Sequence, residues 1–379
     1  MHALIVIGTR PEAIKLLPVY RECVRQGHTA DIYFTVQHED LVDPLLEMFD
    51  ISRADCLLPS TTQDQDKSLI GMLAGFSQAI HKQLTLVVYD VVIVQGDTTT
   101  TLSGALAAAY AGIPVAHIEA GLRSHDKRRP FPEEINRCLV TQTAALHFAP
   151  TSNARSLLLK EGVHEDSVHI VGNTGIDFLS HIKCSRGKVK TPLTQDVLQR
   201  VGDREVVLVT GHRRENQDQT IGAVCREISR ISIELRERYV FIYVTHPSPK
   251  VRSEVDKHLS THEACIKVPA LGYLEFMHLM SKATLIITDS GGVQEEAPSF
   301  GAFTIVTRDS TERSESLALG YSELVGDNIE ALRNAILRET AEDRPLREYK
   351  NPYGDGASSR RIIPIIDTYL RKDNICPLP

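Results

Sequence analysis

Short, wholly apolar runs recur along this chain, separated by stretches long enough to form a helix. Ala3–Gly8, Asp31–Val36, Val91–Gln95, Pro114–Glu119, Leu146–Ala149 and Val168–Val171 make a first series. Val206–Thr210, Val240–Val244, Cys265–Val268, Leu285–Thr288 and Thr304–Val306 make a second. The runs are rich in β-branched residues and do not alternate apolar with polar. Strands of that kind are buried on both faces, as in a parallel sheet covered by helices. Between the two series lies a polar, basic stretch, "HIKCSRGKVKTPLTQD" (181–196), with the character of a linker and a new start. The pattern therefore predicts an α/β protein of two doubly wound, Rossmann-like domains. A length of 379 residues agrees, being too long for one ordinary domain. The expected boundaries are 1–178 and 179–364. A last amphipathic helix over about 365–379 turns away at Pro364 and packs back on the first domain, because proline in a helix interior costs about 3 kcal/mol unless the helix kinks.

Composition excludes several classes. A net charge of -7 argues against nonspecific nucleic-acid binding, which needs a basic surface. No run is long and apolar enough to cross a bilayer, so no membrane partner is expected. Seven scattered cysteines without a CxxC pair, and no basic leader, lead us to expect reduced thiols and a cytoplasmic protein. There is no HExxH, no paired-cysteine site and no GxSxG, so neither a metal centre nor a serine hydrolase is expected.

Open parallel sheets bind ligands at the carboxyl ends of their strands, and the polar clusters of this sequence follow apolar runs directly. In "IGTRPEAIK", Arg10 sits at a strand-to-helix turn and Lys15 about one turn further in. They can reach a phosphate or carboxylate, or simply be a solvated pair. This is not the GxGxxG dinucleotide fingerprint. In "VVIVQGDTTTT", Asp97 follows a strand and can cap the next helix. Thr98 can cap it equally well, which leaves Asp97 available for chemistry. Glu119 ends the next strand in "HIEAG". Glu133 follows in "FPEE", where it and Glu134 can also be ordinary first-turn acids complementing the helix dipole. If Asp97, Glu119 and Glu133 share one cavity they repel, and at least one is expected to hold a proton near neutrality, which supplies an acid and a base together.

The second half carries "VTGHRREN", placing His212, Arg213 and Arg214 after a strand. It also carries "TDSGGVQEEAPSFG", in which Ser290, Gly291 and Gly292 open a helix. Exposed backbone N–H groups there suit a phosphate. Glu296 lies about one turn inside, within reach of a ribose diol, and Arg313 of "RDSTER" is a further cation for the same phosphates. The alternatives are a turn histidine with surface arginines, and a tight Gly-Gly turn with no ligand.

Taken together, Gly8–Lys15, Gly96–Thr100, His117–Arg123, Pro132–Glu134 with Asn136-Arg137, Gly172–Thr174, His212–Asn216, Asp289–Pro298, Thr311–Arg313 and Asn351–Gly356 resemble one family closely. It is the non-hydrolysing UDP-N-acetylglucosamine 2-epimerases of bacteria and archaea. The resemblance implies a glycosyltransferase-B-like fold with the active site in the interdomain cleft, a UDP-sugar as substrate, no cofactor, and a homodimer. It implies reversible C2 epimerisation of UDP-GlcNAc to UDP-ManNAc, by anti elimination of UDP to a 2-acetamidoglucal and re-addition. By motif position it assigns Asp97, Glu119 and Glu133 as the acid–base set and His212 as a catalytic or diphosphate-contacting residue. Arg10, Ser290, Gly291, Gly292, Glu296 and Arg313 are assigned to the nucleotide, Lys15 to the sugar, and Phe276 of "LGYLEF" to the uracil. The alternatives are a hydrolysing epimerase releasing ManNAc and UDP, an epimerase of a modified UDP-sugar, and a glycosyltransferase of the same fold. One segment departs from the family: Asp40 in Gln37–Leu41 and Gly75 stand where many members use a Gln-His-Arg segment and an arginine for activating UDP-GlcNAc. Without that arginine a natural diphosphate partner is lost, so weakened or absent activation, with a hyperbolic rate curve, or a changed substrate is expected.

Overall fold

A computed structural model describes residues 1–35, 43–58, 66, 68–128, 130–184, 191–211 and 218–373. The chain divides into two units, Met1–Lys183 with Tyr353–Pro379, and Cys184–Pro352.

The first unit is built on β1 (His2–Ile7), β2 (Thr29–Phe34), β3 (Val91–Gln95), β4 (Val115–Ile118), β5 (Leu146–Ala149) and β6 (Val168–Ile170). Among the described residues they form one parallel sheet in the order β2-β1-β3-β4-β5-β6. Strands β3, β4 and β5 are buried along their whole length, as expected of mostly apolar central strands of a parallel sheet. The helices are α1 (Arg10–Arg25), α2 (Asp43–Met48), α3 (Leu69–Leu86), α4 (Thr99–Tyr110), α5 (Glu133–Thr143), α6 (Ser152–Lys160) and α7 (Thr174–Cys184). Leu4, Val6, Val92 and Val94 of the sheet close a core with Ile80 and Leu84 of α3, Leu102 and Ala105 of α4 and Val140 of α5. The strand order reverses between β1 and β3, so a crevice opens there at the carboxyl ends.

The second unit has β7 (Glu205–Thr210), β8 (Tyr239–Val244), β9 (Cys265–Val268), β10 (Ala283–Thr288), β11 (Phe303–Val306) and β12 (Ser322–Leu324). Their order, β12-β11-β10-β7-β8-β9, is the Rossmann arrangement, reversing between β7 and β10. Its helices are α8 (Pro192–Val201), α9 (Asp218–Glu234), α10 (Pro249–His258), α11 (Tyr273–Met280), α12 (Gly291–Glu296), α13 (Ser314–Ala318) and α14 (Ile329–Thr340).

The chain returns to the first unit at Tyr353 and ends in α15 (Ser358–Asp373), which packs on α1. The return begins ahead of Pro364, because the "NPYGDG" loop itself is tied down. The Asn173 N–H donates to the Tyr353 carbonyl at 2.6 Å. The Asp177 carboxylate accepts from the N–H groups of Ser358 (3.0 Å) and Ser359 (2.6 Å), satisfying the first donors of α15. Pro364 lies inside α15, which continues past it. No described helix is long and apolar enough to cross a membrane.

Candidate active site

The first unit gathers its polar residues at the reversal point of its sheet. Thr9 caps α1 with Arg10 as its first residue. Glu12, one turn inside, is buried, and burial pushes its carboxyl up. It accepts from Gly8 N (2.9 Å), Thr98 Oγ1 (2.6 Å) and Thr101 Oγ1 (3.1 Å), so it ties the turn after β1 to the start of α4. Thr98, not Asp97, caps α4, through a reciprocal pair with Thr101. Asp97 is thereby left for other partners, and it finds them on α5. Arg137 Nε donates to Asp97 Oδ2 at 2.8 Å, with Nη2 in ion-pair contact with the same oxygen at 2.7 Å, and Asn136 Nδ2 donates to the Asp97 carbonyl at 2.8 Å.

Glu119 follows β4 directly, with φ 64°, a left-handed conformation that costs a non-glycine residue about 1–3 kcal/mol. Its two oxygens accept from Lys15 Nζ of α1 and Gln95 Nε2 of β3. Lys15 thus reaches across the crevice to a carboxylate, as the sequence suggested it could. Both ends of that ion pair are largely buried, the side chains being 16% and 8% exposed. β3 and β4 are hydrogen-bonded neighbours, with Gln95 opposite Ile118, so Asp97 and Glu119 emerge side by side. Beneath them His117 Nε2 bonds to the Gly96 carbonyl at 2.8 Å. Burial pushes the His117 imidazole down to about 4, keeping it a neutral strut.

Glu133 is the first residue of α5, four positions before Arg137. Its Oε2 is buried and has no hydrogen-bond partner among the described residues. Glu134 differs from the plain first-turn acid that the sequence suggested. It is buried and accepts from Ser124 N (3.0 Å), His125 N (2.9 Å) and Arg137 Nη1 (3.0 Å). Burial alone would raise its carboxyl, but those donors outweigh it and hold it below the usual range.

Arg10 forms no ion pair with any described residue and is half-buried at the mouth of the crevice. Asp97, Glu119, Lys15 and the helix headed by Glu133 are therefore brought together. Sequence reasoning passed over Gln95, Arg137 and Glu12 as site residues. For Arg137 a signal existed, since Glu133, Glu134 and Arg137 stand at i, i+1 and i+4 on one helix. For Glu12 there was none, because a buried acid in a first turn looks the same as an exposed one.

In the second unit His212, Arg213 and Arg214 lie outside the described residues. Across the reversal point, β10 runs into buried Asp289 and then Ser290, Gly291 and Gly292. The Ser290 N–H is taken by Thr288 Oγ1 at 3.0 Å, and the Ser290 side chain makes no cap bond. A β-carbon on Gly291 would lie 2.8 Å from the Arg313 Cζ, whereas one on Gly292 would meet nothing within 4 Å. Arg313 therefore lies over the turn, but it is already committed. Its Nε donates to Glu295 at 2.8 Å and its Nη1 to Glu312 at 3.1 Å. Glu296 accepts from Tyr273 of α11 at 2.6 Å. That bond ties α11, which carries half-buried Phe276, to α12. Glu296, Arg313 and the Ser290–Gly292 turn thus belong to one connected patch, with Phe276 three residues along α11 from Tyr273. Among the described residues no cluster of three or more histidines, cysteines or acids could hold a metal ion.

Two Rossmann-like sheets with ionised clusters at their reversal points define a nucleotide-sugar class of α/β protein. A family model described as UDP-N-acetylglucosamine 2-epimerase matches residues 21–367. A UDP-N-acetylglucosamine 2-epimerase of Bacillus subtilis is 38% identical over 368 residues, 96% of this chain and 94% of that protein. A crystal structure of the UDP-GlcNAc 2-epimerase of Neisseria meningitidis, bound to UDP-GlcNAc, aligns with TM-score 0.84 and 34% identity. That alignment covers 98% of this chain and 100% of the other. A UDP co-structure of an S. aureus protein aligns with TM-score 0.87 and 35% identity, over 98% and 97%. This chain belongs to the UDP-N-acetylglucosamine 2-epimerase family, whose fold is glycosyltransferase-B-like.

Proposed function

We propose that the protein interconverts UDP-GlcNAc and UDP-ManNAc without hydrolysis. The observation that carries this is the pair of carboxylates just after neighbouring strands, Asp97 and Glu119, each held by a basic residue, with Glu133 heading the helix that grips Asp97. C2 of the sugar is not next to a carbonyl, so its proton is poorly acidic. Elimination solves the problem. A carboxylate takes the C2 proton, the C1–O bond breaks with its electron pair passing to UDP, and a C1=C2 double bond forms. Protonation of C2 on the opposite face and return of the UDP oxygen to C1 give the epimer. Two faces require separate proton-handling groups, which is the use for several carboxylates. Departing UDP requires cations and N–H dipoles. Lys15 and Arg10 suit the sugar–phosphate end. Ser290, Gly291, Gly292, Glu296, Arg313 and Phe276 suit the nucleotide, and His212 is assigned as a catalytic or diphosphate-contacting residue. Every electron stays within the substrate, so the chemistry needs no redox cofactor.

Chromatography of a UDP-GlcNAc incubation tests the proposal. It expects two intact UDP-sugars at equilibrium. Free N-acetylmannosamine with stoichiometric UDP would assign the hydrolysing reaction instead. We extend the reading to a cytoplasmic homodimer, which light scattering at micromolar protein would show as twice the chain mass.

A further inference from the structure

We propose that Arg137 is the positioning residue of Asp97, presenting one carboxylate oxygen to the substrate while holding the other. This role depends on the epimerase activity proposed above. The geometry differs from that of carboxylates with both oxygens engaged; Arg238 too places Nε and Nη2 on one oxygen of Glu205, but there Arg344 takes the other. Arg123 engages both oxygens of Glu161, from Nε and Nη2 at 2.7 Å each. Arg347 likewise engages both oxygens of Glu339, at 2.6 and 2.9 Å. In those pairs the carboxylate is spent on its partner. Arg137 instead places Nε and Nη2 on a single oxygen, Asp97 Oδ2. Among the described residues no hydrogen bond falls on Oδ1.

The grip extends beyond the pair. Asn136 holds the Asp97 carbonyl, fixing the backbone that carries the carboxylate. Arg137 is itself oriented by Glu134 through Nη1, and Glu134 is fixed by the N–H groups of Ser124 and His125. The loop following Glu119 is thereby linked to Asp97 through one guanidinium. Arg137 is buried, so its field on Asp97 is little screened by solvent. An acid–base carboxylate must be aimed before the proton moves, and a rigid fork does this better than a flexible ammonium.

Kinetics of Arg137→Ala and Arg137→Lys with UDP-GlcNAc test the assignment, with the melting temperature of each variant recorded. Arg137→Ala is expected to lower kcat about 100-fold while KM stays within about 3-fold. Arg137→Lys, which keeps the charge but loses the fork, is expected to fall between the alanine variant and the wild type. A folded Arg137→Ala with kcat within about 3-fold of wild type, or a loss falling on KM, overturns the proposal. Should the alanine variant not fold, the lysine variant decides. A kcat loss of about tenfold at an unchanged melting temperature supports the role, and wild-type kcat overturns it. If the wild type itself does not turn over UDP-GlcNAc, the activity and the positioning role fall together. Turnover with an insensitive Arg137 removes only the latter.

Discussion

At the scale of single residues, the first unit sorts its acids by their partners. Glu12 and Glu134 hold backbone in place, Asp97 and Glu119 are held by cations, and Glu133 keeps a buried oxygen without a partner among the described residues. Glu119→Gln keeps the shape and removes one carboxylate of the proposed acid–base set, so kcat should drop by about 100-fold or more with KM little changed. A fall in kcat of less than about 3-fold in steady-state kinetics contradicts its role. The histidines make a different prediction. His117 and His147 are register partners on β4 and β5, and burial pushes each down to about 4 from an ordinary 6.5. In that window the unfolded chain binds protons that the folded one does not, so stability falls as pH drops from about 6.5 toward about 4. Glu12, raised by burial, acts in the opposite sense above 4.5. His147→Asn should therefore flatten the acid limb of the melting temperature against pH. An unchanged slope would show that His147 does not contribute. The acids at strand ends were legible in the sequence, because position after an apolar run implies a place at the crevice. The partners were not, since Arg137 and Gln95 reach Asp97 and Glu119 through tertiary packing.

At the scale of elements, eleven strands could be read from apolar runs, and β12 could not. Ser322–Leu324 is a three-residue edge strand containing a glutamate, and edge strands need no apolar run. The tie between α15 and the first unit was equally hidden, for it rests on Asp177 meeting two serine N–H groups far along the chain. Asp177→Ala should cost about 1–2 kcal/mol by loss of those bonds. Calorimetry should show a melting temperature lower by a few degrees with kcat retained, and no shift would mean the cap is dispensable. The turn before α12 separates two effects of one added methyl group. Gly292→Ala meets nothing within 4 Å in the protein itself. It should therefore leave stability unchanged yet weaken UDP binding about tenfold or more by crowding the phosphate. Gly291→Ala must displace the Arg313 guanidinium and should weaken binding as well. Calorimetric titration with UDP reads both, and undiminished affinity in Gly292→Ala would remove that turn from the phosphate site.

At the scale of the whole molecule, each unit reverses its strand order once, and the assigned residues follow those reversals. After β1 and β3 come Arg10 and Asp97, and after β10 come Ser290 through Gly292. That placement makes the position of a ligand site intelligible from sheet order. The particular reaction depends instead on carboxylates able to move a proton at C2. Incubation with UDP-GlcNAc in deuterated water, followed by proton NMR, measures that step directly. The account predicts deuterium at C2 in both UDP-GlcNAc and UDP-ManNAc, with UDP retained on each sugar. A C2 position that stays fully protonated while the protein is folded and binds UDP would contradict it.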